Sequence, residues 1–170
     1  MTTELVVQQT RDALLLARLH FATVSVAYRS FFSPDSAPPN VPELTATWEA
    51  RLEDPSSRAL LAGRSGEPVG AVAVRRDPDY PGEGQLLGLH VLPGAWGVGV
   101  GSALHDAALD VLRSRSYEQA GLWVIAANSR ARAMYEAQGW LLRAGSESDF
   151  VGVTEVRYVK GLDGLRRPIP

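Results

Sequence analysis

Gly97-Val98-Gly99-Val100-Gly101-Ser102 is the stretch on which the reading of this chain turns. It follows an apolar run, Leu86 to Leu92, and opens a helical pattern from Ser102 to Arg113. Glycines at a strand-to-helix turn let the backbone bend tightly and let a ligand approach the amides closely. The first amides of a helix have no partners within it, and the helix dipole is positive at that end. Such a turn is an anion cradle, suited to phosphate or pyrophosphate.

Outward from the turn, the pattern predicts a mixed α/β chain. Leu5-Val6-Val7 reads as a first strand, and Asp12 to Arg29 as a helix with Leu15, Leu19, Ala22 and Val26 on one face. A proline-marked loop, Ser33 to Pro39, precedes a second helix opened by Pro42, which carries Leu44, Thr47, Trp48, Arg51 and Leu52 on one stripe. Arg58–Gly63 and Pro68–Arg75 read as a hairpin about Ser65-Gly66-Glu67, and Gln85–Leu92 as the strand feeding the glycine turn. Beyond the turn's helix come a strand, Gly121–Ala126, and a helix capped by Asn128 and ended by Gly139. A last strand pair follows, Trp140–Arg143 and Val153–Val159. The expected order is β-α-α-β-β-β-α-β-α-β-β. Residues 1–162 are expected to form one domain, with 163–170 a loose tail.

Composition narrows the function classes. A net charge of −2 over 170 residues does not point to nucleic acid or an anionic membrane as partner. Without cysteine the chain has no disulfide, no thiolate metal site and no cysteine nucleophile. His20, His90 and His105 are scattered and lack metal-ligand spacing, so no metal is expected. Met1-Thr2-Thr3-Glu4 has no signal-peptide character and no run is long enough to span a bilayer, so a cytoplasmic protein is expected.

Two phosphate-binding readings of the glycines fail. A P-loop requires Gly-Lys-Ser/Thr, and Gly101-Ser102 has no lysine. A dinucleotide fingerprint requires a glycine where Ser102 or Leu104 stands, and it should follow the first strand of a βαβ unit rather than three antiparallel strands.

The third reading joins two segments. Leu89-His90-Val91-Leu92-Pro93 followed by Trp96-Gly97-Val98-Gly99-Val100-Gly101-Ser102 resembles the central motif of the GNAT family of N-acetyltransferases. Asn128-Ser129-Arg130-Ala131-Arg132-Ala133-Met134-Tyr135-Glu136-Ala137-Gln138-Gly139-Trp140 resembles that family's second motif, Asn-x-x-Ala-x-x-x-Tyr-x-x-x-Gly-Phe. The resemblance runs from Leu60 onward. It departs at Trp96, where similar proteins carry Gln or Arg; a loop that works through main-chain N–H groups tolerates this.

The resemblance implies the GNAT fold, an α/β (α+β) architecture with a mixed, mostly antiparallel sheet of six to seven strands flanked by helices. It also implies acetyl-CoA as cosubstrate and a small-molecule or peptide amine as acceptor. Main-chain groups from Trp96, Gly97, Val98, Gly99, Val100, Gly101 and Ser102 would hold the pyrophosphate, with Asn128 contributing. The strand Leu89-His90-Val91 would offer edge groups to the pantetheine. Tyr135 would be the general acid on the CoA sulfur. Glu83 is the candidate base and His90 a second. Tyr28 and Phe32, near Phe31 and Trp48, would line the acceptor pocket or pack as ordinary core, and Glu43, Asp77 and Asp79 would draw a cation to its mouth or stand as solvated surface acids. Similar proteins are often homodimers. The competing reading is a non-catalytic acyl-CoA-binding sensor or interaction domain of the same fold.

Overall fold

The computed structural model describes residues 4–162, so the tail expected at 163–170 lies outside the described residues. The chain runs β1 (Leu5–Thr10), α1 (Ala13–Ala27), a 3₁₀ turn (Arg29–Phe31), α2 (Val41–Glu53), β2 (Arg58–Arg64), β3 (Glu67–Arg76) and β4 (Gly84–Val91). After a second 3₁₀ turn (Pro93–Ala95) come α3 (Val100–Ser114), β5 (Gln119–Ile125), α4 (Ser129–Ala137), β6 (Leu141–Leu142), β7 (Ser148–Phe150) and β8 (Val153–Gly161). The expected element order holds, with β7 added. The sheet therefore has eight strands rather than six or seven, in the order β1-β2-β3-β4-β5-β8-β6 with β7 on β8.

Local signals place the helix ends. Asp12 caps α1 by accepting the Leu15 N–H at 2.9 Å. Asn40 and Glu43 form a reciprocal capping box on α2. Gly139 ends α4 with φ +83°. The buried stripe of α1 is displaced from the expected one: Leu16, Ala17, Leu19 and Thr23 are buried, while Val26 is 63% exposed.

Alternation along the strands builds an apolar layer on each side of the sheet. Helices α3 and α4 cover one built on Leu60, Val72, Val74, Leu86, Leu122, Val124 and Tyr158. Helices α1 and α2 cover the other, where Leu16, Leu44 and Trp48 pack on Ala59, Leu61, Ala71, Ala73 and Leu87.

One pairing is short, and the site depends on it. β4 and β5 are the parallel neighbours, bonded at Gly84↔Ala120 and Gln85↔Gly121 before they diverge. The cause lies across β4. Against β3, Ala73 pairs with Leu87 and Ala71 with His90, so two steps on β3 match three on β4. This is a β-bulge, which bends the strand that carries it. Gly88 sits in it at φ +49°, and a Cβ there would lie 2.8 Å from His90 Nε2. The bulge turns β4 away from β5 and opens the sheet toward the glycine turn.

The paired end of the same two strands is locked by charge. Arg157 and Asp77 are both fully buried and meet at 2.8 Å. The same Nη2 reaches Glu83 at 2.7 Å, and Arg143 reaches Glu83 at 3.1 Å. The Tyr80 ring lies 3.7 Å from the Arg157 guanidinium. A Cβ at Gly121 would fall on that guanidinium.

On the α1/α2 side, His90 is 5% exposed and stacks on His20 with ring centroids 4.1 Å apart. Neither His90 nitrogen has a hydrogen-bond partner among the described residues. Burial, then the Arg51 charge, lowers His20 to about 4; burial, then His20 and Arg51, holds His90 well below the ordinary imidazole value.

Two outcomes are expected. Arg157→Ala leaves the buried Asp77 carboxylate without its cation and should cost about 3–5 kcal/mol, read by urea denaturation; a loss under about 1 kcal/mol would show the pair to be replaceable by solvent. Second, the unfolded chain protonates its histidines near 6.5 while folded His20 waits until about 4. Below the unfolded value the unfolded state binds more protons, so stability is full above pH 6.5 and declines toward pH 4. Denaturation series across that window should show the slope, and His20→Gln should reduce it.

Candidate active site

The glycine turn stands at the mouth of the opening between β4 and β5. Gly99 caps α3 at φ 88° and offers no side-chain cap. The first intrahelical bond of α3 is Ala103 N–H to Gly99 O at 3.0 Å, which leaves the Val100, Gly101 and Ser102 amides without intrahelical partners. Gly97 also has positive φ, and a Cβ on either Gly97 or Gly99 would meet open space. Amides, a helix N-terminus and room beside them suit a pyrophosphate.

Trp96 differs from expectation. Its amide is not part of the cradle, because it donates to Pro93 O at 3.2 Å. Its indole Nε1 donates to Val91 O at 2.7 Å, so the carbonyl expected to await the pantetheine already has a donor. The Arg130 guanidinium lies over the indole, 4.3 Å from the ring centroid. Arg130, in the first turn of α4, thus brings a cation beside the glycine turn where similar proteins place a polar side chain at position 96.

Helix α4 positions Tyr135. Asn128 caps the helix by accepting the Ala131 N–H at 3.1 Å. Tyr135 is 7% exposed and packs edge-to-face on Trp140, centroids 5.9 Å apart. Trp140 is in turn fixed by donating to His105 Nε2 at 2.9 Å. Burial pushes the Tyr135 phenol up, and the Tyr28 phenol pushes it further. Tyr28 stands at the C-cap of α1, on the opposite side of the sheet from α4. Tyr135 keeps its proton throughout the neutral range and can donate it.

Tyr28 packs against Phe31, ring centroids 6.2 Å apart, and Phe32 packs against Phe150 of the β7–β8 hairpin at 6.4 Å. Trp48 does not join them; it is fully buried beside His20. Asp77 is withdrawn from any mouth by its pairing with Arg157. Glu83 stands at the paired end of β4, where Gln119, Arg143 and Arg157 hold its carboxylate. Leu89 to Val91 lie at the open end, about 20 Å away at strand rise. Neither Arg130 nor Phe150 stands out in the sequence; Arg130, two residues after the Asn128 cap, is the more readable of the two.

The described residues contain no helix long and apolar enough to cross a membrane. Comparison with known proteins gives the family and the fold. The family model described as Acetyltransferase (GNAT) family matches residues 23–140. The chain is 51% identical over 57 residues to mycothiol acetyltransferase of Beutenbergia cavernae, which covers 34% of this chain and 19% of that protein. The chain thus matches about a fifth of that curated relative's length. Among solved structures, yncA from Salmonella typhimurium with its cofactor acetyl-CoA superposes with a TM-score of 0.71, at 15% identity over 98% of this chain and 99% of that one. PaiA N-acetyltransferase from Thermoplasma acidophilum in complex with coenzyme A gives 0.70, at 14% identity over 91% and 98%. At such identities the structural likeness is one of fold. With the family model spanning both the glycine turn and the Tyr135 helix, this chain belongs to the GNAT acetyltransferase family.

Proposed function

We propose that the protein transfers an acetyl group from acetyl-CoA to a primary amine by direct attack on the thioester. The observation that carries this reading is the opening between β4 and β5. It has a phosphate cradle at its mouth, and Tyr135 belongs to the α3/α4 layer on one face of the same sheet. Acetyl-CoA supplies an activated acyl group; the chain's own residues bind, orient and move protons.

The amides of Gly97 through Ser102 hold the pyrophosphate, and Arg130 adds its charge from the Trp96 ring. The free backbone edge of β4 around Leu89 lines the pantetheine arm. Tyr135 donates its proton to the departing sulfur. Tyr28 and Phe32, with Phe150, flank the acceptor. Glu83 is left out of the reaction: its two oxygens already receive three side-chain donors at the far end of the strand. The match to mycothiol acetyltransferase supports acetyl transfer; it covers too little of either chain to carry the acceptor across.

Titration calorimetry with acetyl-CoA should give binding in the micromolar range, and no binding at millimolar ligand would rule the reading out. In a thiol-release assay over a panel of primary amines, Tyr135→Phe should lower kcat about 100-fold while leaving the acetyl-CoA Kd within about twofold. An unchanged rate would remove Tyr135 from the chemistry. Binding with no turnover by the unaltered protein would favour the acyl-CoA-binding reading. Arg130→Ala should weaken acetyl-CoA binding about tenfold, and the loss should shrink as salt is raised.

A further inference from the structure

We infer that Glu155 receives the acceptor's proton, and that the acceptor is an amine carrying positive charge until it reaches this carboxylate. The inference rests on the acetyltransferase reading above and adds to it the group that activates the nucleophile.

Glu155 belongs to β8 and pairs with Ile125, the last residue of β5. That is the end of β5 farthest from its pairing with β4, where the sheet stands open. Strand alternation sets its direction. Val156 and Tyr158 lie in the α3/α4 layer. Glu155 and Arg157 therefore project from the other face, as the closeness of Arg157 to Gly121 requires. On that face β4 carries His90. The β7–β8 hairpin pairs Ser148 with Glu155, and through Phe150 it reaches Phe32 beyond the end of α1. Glu155 thus lies between the hairpin and the diverging end of β5, on the α1/α2 face of the sheet, the face on which Phe32 meets the hairpin.

Its surroundings set it apart from the other enclosed carboxylates. Asp77 and Glu83 are held by arginines. Glu155 has no ion-pair partner among the described residues, and it is only partly enclosed. Arg157, two residues on and on the same face, has its Nη2 committed to Asp77 and Glu83. Partial burial, then the nearby Asp149 charge, raises the Glu155 carboxyl above its ordinary value. A half-enclosed carboxylate with an acidic neighbour and no cation of its own attracts an ammonium group and binds a proton more readily than a free one.

The protons balance as follows. One proton of the ammonium passes to the Glu155 carboxylate. The freed lone pair forms the C–N bond at the thioester carbonyl carbon. The C–S bond breaks, and its electron pair leaves on sulfur, which takes the Tyr135 phenol proton. The phenolate recovers the second proton shed by the new amide nitrogen, and Glu155 returns its proton to water. The products are an amide, a thiol and one proton.

The experiment compares two classes of acceptor at neutral pH: a primary alkylamine, protonated there, and O-methylhydroxylamine, which is uncharged. Glu155→Gln should lower kcat/KM for the alkylamine about 100-fold and for the uncharged amine by less than about fivefold, with acetyl-CoA binding unchanged. Asp149→Asn, on β7 and paired with the residue before Glu155, should raise KM for the alkylamine several-fold with little change in kcat, and an unchanged KM would overturn the part given to the acidic neighbour. Alkylamine turnover that Glu155→Gln leaves intact, or a loss equal for both amines, overturns the assignment and leaves the transferase reading standing. Wild-type protein that binds acetyl-CoA and acetylates neither class overturns both. A Glu155→Gln variant that no longer binds acetyl-CoA marks the residue as structural and overturns the assignment as well.

Discussion

The bulge in β4 is the constraint on which the rest of this molecule depends. A parallel pair of strands would normally close along its length, and in a closed sheet nothing could pass between the two helical layers. One extra residue between Leu87 and His90 bends β4 off β5 after two bonded positions. The proposed site is laid out relative to that gap, with the glycine turn at its mouth, Tyr135 in the α3/α4 layer and Glu155 on the opposite face. At Gly88 the backbone angle and the His90 ring both require glycine. The bulge, the neutral stacked imidazoles and the opening are therefore one feature rather than three.

The opening exposes polar backbone, and the sheet needs support elsewhere. The Arg157–Asp77–Glu83–Arg143 network supplies it at the closed end, where Gly121 leaves room for a buried guanidinium. A buried ion pair of this kind adds little net stability over an apolar replacement, yet it is costly to break on one side. Such a network makes the register of β5 against β8 hard to slip, because a one-residue shift would carry Arg157 to the opposite face.

Much of this was legible in the chain because the signals are local. Asp12, Asn128 and Gly139 mark helix ends through bonds to residues three or four positions away, and the glycine turn declares itself within six residues. What was not legible depends on distant partners. Gly88 reads as an ordinary strand glycine until β3 is laid beside it. Glu83 reads as a candidate base and Asp77 as an acid at the pocket mouth, because Arg157, which pairs with both, is more than seventy residues away. Val26 continues an apolar periodicity that the packing of α1 does not use. Glu155 is a charged residue on a short strand pair, and only the register of β8 on β5 gives it a place. The hairpin strand β7 is three residues long, too brief for any periodicity to reveal.

The Trp96 indole bond to Val91 has a thermodynamic side. A loop rich in glycine is expensive to hold still, since each such residue has more backbone freedom to lose than any other. Here the residue just before the glycines is tied to strand β4 through its indole and to the preceding turn through its amide, and a guanidinium lies on its ring. One end of the cradle is anchored in this way and the other is the first turn of α3. Much of the ordering that an anion would otherwise have to impose is completed when the chain folds, so the entropy is lost then and not at binding.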